Sequence, residues 1–357
     1  MGDFIKGKCL LMCSEKERWM REKENLLHLF EIDEKTKGQK RPKANPNRIV
    51  KCYGRPAIGQ DMTDPTELRP ASVLLLTVKY LLSEVVVRTD VDWVVVYDFI
   101  FDRLRAVRQD IAIQRIPISL SVALFEPIIR FLVYSSQRLC EKKLAVYDPK
   151  INSQHLSECI KHVLVLYDQL EKQSNSLDIS LDKMLDCLSL KSNRPEMEAL
   201  YLLLYIGDVE ALERGLKLES YIRQSWLVQT ALKISLAWHL RNYVRVFKLI
   251  ESLPPLLACA ALTNLATLRR TTLQIMSTAY NSKVLTYPGI KLQELLLYAD
   301  IEKLQRDCEH YGLKLVNQNV QFQKAMFNNT SKLASSDNYF KDEILHNSLP
   351  FILLEPI

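Results

Sequence analysis

The run Asp102-Arg-Leu-Arg-Ala-Val-Arg-Gln-Asp110 decides the reading of this chain. Leu104 and Val107 are three positions apart, and the same rhythm carried outward collects Tyr97, Ile100 and Ile111 into one apolar stripe. Asp98, Asp102, Arg105 and Gln109 recur at the same spacing on another face. Upstream, Val94-Val95-Val96 would suit a strand, as would Val85-Val86-Val87, because β-branched side chains pack well on a pleated surface. The apolar segment around them, 93–113, has helical length, and that decides for helix. An apolar stripe beside a charged seam fits an antiparallel helical array in which the seam sets the register of neighbouring helices. Asp98 and Asp102, one turn apart, also admit an acid/base or metal-binding reading. Arg103, Arg105 and Arg108 beside them make charge-paired structure the better account.

Working outward, helical patterns cover 68–87, 119–144, 153–172, 194–205, 209–216, 221–238, 243–253 and 255–280. Short connections make successive helices neighbours. With 9 glycines and 14 prolines in 357 residues, the composition suits long helices better than a turn-rich sandwich. The fold class expected is all-α, an irregular helical solenoid in which no fixed repeat period is visible. The polar stretch 173–182 is the expected break between the first helices and the second group.

Both ends differ from the middle. Ser14-x-x-Glu17 has the form of a capping box and opens a helix over 14–30. Between Glu34 and Asp61 there is no acidic residue, while Lys35, Lys37, Lys40, Arg41, Lys43, Arg48, Lys51 and Arg55 mix with prolines and glycines. This reads as a basic, extended arm, either a solvated loop or a contact for nucleic acid or an acidic protein. Towards the C-terminus, 292–298 and 300–311 form two short helices, with Gly312 as a helix stop. Strands 313–316 and 320–322 flank the polar turn Asn317-Gln-Asn319, giving a small winged-helix-like unit. Residues 328–347 are polar and read as flexible, and the apolar terminus Leu349-Pro-Phe-Ile-Leu-Leu-Glu-Pro is suited to docking on the body or on a partner.

Several chemistries find no support. A net charge of +6 is a mild excess that favours acidic partners or nucleic acid but falls far below that of a dedicated DNA-packaging protein. Eight scattered cysteines and an N-terminus without an apolar signal core point to a reducing, intracellular setting. The longest uncharged segment, 252–268, contains Pro254-Pro255 and reads as a buried helix, so no membrane span is expected. Cys9, Cys13, His28 and Cys52 could offer zinc four ligands, but their loose spacing favours packing as small apolar groups. Cys140, Cys159, Cys187, Cys259 and Cys308 stand singly and read as core. No nucleophile elbow, phosphate loop or dinucleotide fingerprint is present, so neither cofactor nor small-molecule substrate is expected.

Taken together, Gly7-x-Cys9-x-x-Met12-Cys13-x-Glu15, Val50-Lys-x-Tyr53, Glu67-Leu68-Arg69-Pro70, the run from Asp102 to Asp110 (Asp102, Arg103, Arg105, Arg108, Gln109, Asp110) and Glu126-x-x-x-Arg130-Phe131 resemble, in order, the blocks of the SAC/GANP family. The similarity extends over residues 7–325, and the length is that of the short, SHD-type members. Ser14 departs from the family's usual proline, and Gly54-Arg-Pro from its usual basic residue and serine. The resemblance implies a non-enzymatic mRNA-export scaffold related to PCI modules: a right-handed helical solenoid ending in a winged helix that pairs with a second PCI-domain protein. A small acidic Sem/DSS-type subunit and RNA complete the implied assembly, in the nucleus and cytoplasm. Short relatives add a second reading, a role in centrosome duplication and spindle assembly, and shared architecture a third, a proteasome-lid or translation-initiation subunit. The layout expected is an N-terminal helix and basic arm (1–65), helical solenoid (66–287), winged-helix unit (288–327) and tail (328–357). Lys40, Arg41, Lys43, Arg48 and Lys51 on the arm, and Lys303, Arg306, Lys314 and Lys324 near the ribbon, are the candidate nucleic-acid contacts.

Overall fold

Several of the described α-helices begin where a side chain accepts from the open backbone of the first turn. In the computed structural model, which describes residues 5–55, 62–173, 193–334 and 348–357, fifteen α-helices, one 3-10 turn, one π-helical turn and one three-stranded sheet make up the regular structure of the described residues. The all-α class is therefore the observed one. The expected break at 173–182, all but its first residue, Cys187 and the tail from 335 to 347 lie outside the described residues.

The contacts divide the chain into two compact units. The first takes residues up to 131, with 158–192 and 346–356. Here α1 spans Glu15–Lys23, with the Ser14 hydroxyl accepting from Glu17 N at 3.3 Å. It stops well short of residue 30 because Asn25 turns left-handed (φ 56) and Leu26 N bonds back to Arg21 O at 2.8 Å. Helix α2, Ala71–Tyr80, runs on as a π-helical turn, Leu81–Val85. Helix α3, Trp93–Gln114, is capped by the Asp92 carboxylate on Val94 N and ends at left-handed Arg115. The stripe Tyr97, Ile100, Leu104, Val107 and Ile111 is buried along it as the spacing requires. Helices α4 (Ile118–Arg138) and α5 (Pro149–Gln173) follow, this unit taking α4 up to residue 131 and α5 from residue 158; α4 is long and apolar enough to cross a membrane but is 89% buried over its apolar window, as befits a core helix.

The second unit takes residues 132–157, 193–345 and 357. Its helices are α6 (Arg194–Leu204), α7 (Val209–Lys217), α8 (Ser220–Arg223), α9 (Trp226–His239), α10 (Tyr243–Glu251), α11 (Pro255–Leu262) and α12 (Leu265–Ala279). Helix α6 lies against α9 and α11, and α9 against α7 and α10. Two continuous patterns in the sequence are broken in the structure. Ser225 interrupts 221–238 because its hydroxyl caps α9 at Val228 N. Asn264 interrupts 255–280 because its side-chain amide turns to the α6 carbonyls of Leu203 and Leu204, at 3.0 and 3.2 Å.

Beyond α12 the order is β1 (Tyr287–Pro288), α13 (Gly289–Leu295), α14 (Ile301–His310), β2 (Lys314–Val316) and β3 (Asn319–Gln321). The sheet is antiparallel in the order β1-β3-β2, with Leu315 and Tyr287 both opposite Val320. Asn317 and Gln318 are left-handed (φ 49 and 64), which makes a two-residue turn with the twist a hairpin needs. Gly312 ends α14 at φ 79, where an added Cβ would meet Met326 O at 2.4 Å. Strand β1 escaped the sequence reading because it is two residues long and includes a proline, which only an edge strand tolerates. Helix α15, Leu349–Leu354, packs on the π-helical turn of the first unit and buries Leu349 and Leu353.

Candidate functional site

Two places collect the residues singled out in the sequence. In the first unit, the blocks spread over residues 7–114 meet around α3. Asp110, fully buried, accepts from Lys51 Nζ at 2.7 Å on one oxygen and from Arg69 Nε at 2.7 Å on the other. Lys51 Nζ also reaches Glu67 O at 2.9 Å, and its amide donates to Met12 O at 2.9 Å. Arg69 Nη1 reaches the same Met12 carbonyl at 3.4 Å. One turn on, Gln114 receives Gly7 N at 2.8 Å and donates to Arg69 O at 2.8 Å. Gly7 is required there, since an added Cβ would sit 2.4 Å from Leu68 O.

A second set of bonds lies two turns earlier. Asp102 accepts from Tyr53 N at 3.2 Å and from Arg103 at 2.6 Å. Arg103 continues to Glu31 at 3.1 Å; Glu31 also receives Val50 N at 3.1 Å and the Arg21 guanidinium. Gln109 donates to Gly54 O at 2.9 Å, and the Arg105 guanidinium lies 3.8 Å above the Tyr53 ring. Glu17, instead of completing the capping box, accepts Cys52 N at 2.8 Å. Of the charged seam, only Arg108 forms an ion pair with a neighbouring helix among the described residues, to Glu158 of α5 at 3.1 Å. The charged seam therefore clamps the N-terminal segment onto α3 more than it registers helix against helix. Glu126, Arg130 and Phe131 stand apart from it: Glu126 holds Arg130 at 3.4 Å and the Tyr167 hydroxyl inside the core, and Phe131 stacks on Tyr97.

This arrangement corrects the extended basic arm. Ile49 and Val50 are buried, Ile32 bridges Ala44, and Ala44 and Ile49 pack with Cys13 and Leu27. The segment folds because apolar residues are set among its cations, a signal obscured by the run of lysines and arginines. Lys51 is an internal ion-pair partner of Asp110, turned inward from the other cations of the segment. Lys43 pairs with Glu22 at 3.1 Å and Arg48 with Glu34 at 3.6 Å, whereas Lys40 and Arg41 are exposed with no ion pair among the described residues. Sequence reasoning missed Glu31, the fully buried hub of the clamp; its setting between Phe30 and Ile32 was the available signal.

The cysteines and histidine do not gather as ligands: among the described residues no group of three or more potential metal ligands is assembled. Cys9 Sγ faces Leu11 O at 3.2 Å, and burial pushes the Cys52 thiol up to about 12. Burial lowers His28 to about 4, opposed by Glu31, and its Nδ1 accepts from Phe30 N at 3.3 Å. Asp98 is exposed and Asp102 is committed to Tyr53 and Arg103, so the two do not converge on a reacting centre.

In the second unit, the helix–turn–helix and ribbon are held by Arg269 of α12. Its buried guanidinium donates to the carbonyls of Leu296, at 3.0 Å, and Leu297, closing the end of α13, and lies 3.6 Å over the Tyr298 ring. Leu292, Leu304, Cys308, Val320 and Phe322 form the core beneath. Arg306, Lys314 and Lys324 project from this unit, exposed and without an ion pair among the described residues. Lys303 does not join them, since it pairs with Glu141 at 3.0 Å. Strands β1 and β2 each pair only with β3, so both sheet edges are open among the described residues.

Comparison with known proteins covers both places at once. Residues 12–317 match the model of the SAC3/GANP family. SAC3 family protein 1 of Schizosaccharomyces pombe is 27% identical over 349 residues, covering 91% of this chain and 32% of that protein. Protein xmas of Drosophila melanogaster is 28% identical over 333 residues (88% of this chain, 15% of that protein), and SAC3 family protein B of Arabidopsis thaliana 26% over 279 (74% and 15%). The chain thus spans about a third or less of the length of these relatives. Because one continuous match takes in almost all of the α3 clamp and runs through the helix–turn–helix to the turn of the ribbon, the chain belongs to the SAC3/GANP family.

Proposed function

We propose that this chain is a non-catalytic scaffold subunit of a nuclear mRNA export or processing complex, and that its C-terminal unit acts as a winged helix holding both a PCI-domain partner and RNA. The observation that carries this reading is the pairing, in one small unit, of open sheet edges with the unpaired cations Arg306, Lys314 and Lys324. An open edge offers backbone groups to a second sheet, and lysines beside it offer counter-charges to a phosphate backbone. Val316 and Met326, both exposed, add apolar surface suited to a protein neighbour. A scaffold role is supported by the clamp, where both acids of the family's central motif are taken up in internal ion pairs, Asp102 with Arg103 and Asp110 with Lys51 and Arg69. A small acidic subunit of the Sem/DSS type belongs to the same assembly. Purification of the tagged chain from nuclear extract, with identification of bound proteins and cross-linked RNA, tests the reading. A PCI-domain protein and RNA are expected together; recovery of neither contradicts it.

A further inference from the structure

Helix α9 presents a second surface that the C-terminal unit does not use. Positions 226, 229, 233, 236 and 240 follow one another at steps of three and four, the spacing of a coiled-coil seam. All five are exposed, although the opposite face of the same helix is buried against α6. Three of them are large and apolar: Trp226 is 56% exposed, Leu236 37% and Leu240 74%. Val244, on the next helix, adds a further 39%-exposed aliphatic group.

Charge along the chain through this seam has one sign. Residues 220–250 contain Arg223, Lys233, Arg241, Arg245 and Lys248 and no carboxylate. All five cations are exposed, and none makes an ion pair among the described residues. The bias continues, since Glu251 is the single acid from 220 to 293. Lys233 lies within the seam, where its alkyl stem can cover apolar surface while its ammonium seeks a carboxylate.

We propose that the outer face of α9 and α10 is a docking seam for an acidic amphipathic helix of a protein partner. The heptad-like spacing matches an apolar helical stripe, and the cations within it and next to it in the chain match acidic flanks. A second copy of this chain does not fit, because the same face would set five cations against five. A single-stranded nucleic acid would satisfy the cations and could stack on Trp226, but it would leave Leu236, Leu240 and Val244 without an apolar cover. The inference rests on the scaffold reading and adds a protein-binding place separate from the RNA-binding ribbon.

Fluorescence anisotropy with the full chain tests it, using a labelled three-heptad peptide with a leucine seam and glutamate flanks, a twin with lysine flanks, and single-stranded oligouridine. The acidic peptide is expected to bind saturably and the basic twin not. Leu240→Ser should weaken binding by about tenfold or more, since it removes a leucine from the contact. The position is exposed, so the unfolding midpoint should stay in place. Lys233→Glu combined with Arg241→Glu should reverse the preference towards the lysine-flanked twin. Oligouridine affinity should be unchanged in all of these variants and lowered only when the ribbon cations are altered. Failure of the acidic peptide to bind saturably, equal binding of the twins, or a fall in oligouridine affinity in the Lys233 and Arg241 variant would each overturn the proposal; none of these would touch the role of the ribbon.

Discussion

Replacing Asp110 by Asn keeps the shape of the side chain and removes the charge that Lys51 and Arg69 share. Two cations would then lie buried without their counter-ion, a change that costs about 3–5 kcal/mol in comparable sites. Asp110→Asn is therefore expected to lower the unfolding free energy of the first unit by an amount in that range, read from urea denaturation followed by tryptophan fluorescence. His28 offers a second test. Burial holds its imidazole neutral, down to about 4 from an ordinary value of 6.5, so the folded state binds fewer protons than the unfolded chain between those values. Its contribution is complete above pH 6.5 and is lost as pH falls towards 4. The melting temperature should drop across that window, and His28→Gln should flatten the drop; His162, also lowered by burial, adds a smaller slope of the same sign. At this scale the sequence was legible in part. The motif aspartates and arginines declared that they would be paired, but their partners sit tens of residues away in Glu31, Lys51, Tyr53 and Arg69, and no local spacing encodes such distances.

Among the elements, α15 is the most direct to probe. Leu353 is fully buried on the π-helical turn Leu81–Val85, so Leu353→Ala should destabilise the first unit by about 2–5 kcal/mol, read by chemical denaturation. The apolar terminus announced a docking segment; its place on residues 81–85 was not inferable, because that turn reads simply as the end of a helix. Helix positions were legible wherever an apolar stripe ran unbroken, as in α3. They were overestimated where one side chain diverted the backbone: Asn25 ended α1 early, Ser225 opened α9, and Asn264 turned to α6. Such breaks are tertiary decisions, since asparagine and serine are tolerated inside a helix when no better partner is near. The basic arm failed for the opposite reason, since its lysines and arginines outweighed in the reading the few apolar residues that fold it.

For the molecule as a whole, the positive charge is unevenly distributed between what holds the fold and what faces outward. In the first unit the motif cations Lys51, Arg69, Arg103 and Arg108 are paired with Asp102, Asp110, Glu31 and Glu158, and Arg105 lies over the Tyr53 ring. In the second unit, Arg306, Lys314 and Lys324 remain available. The all-α class and the family were readable from the sequence, because periodicity and five ordered motif blocks are both properties of the chain itself. The separation of clamp from surface was not, because an unpaired lysine and a paired one look alike until their neighbours are placed. The salt dependence of RNA binding tests that separation most directly. If the three ribbon cations each neutralise a phosphate, Arg306→Glu, Lys314→Glu and Lys324→Glu together should make the slope of log affinity against log salt shallower by about two, at roughly 0.7 per phosphate, while Lys303→Glu leaves it unchanged. An unchanged slope in the triple variant would contradict the assignment of RNA binding to this unit.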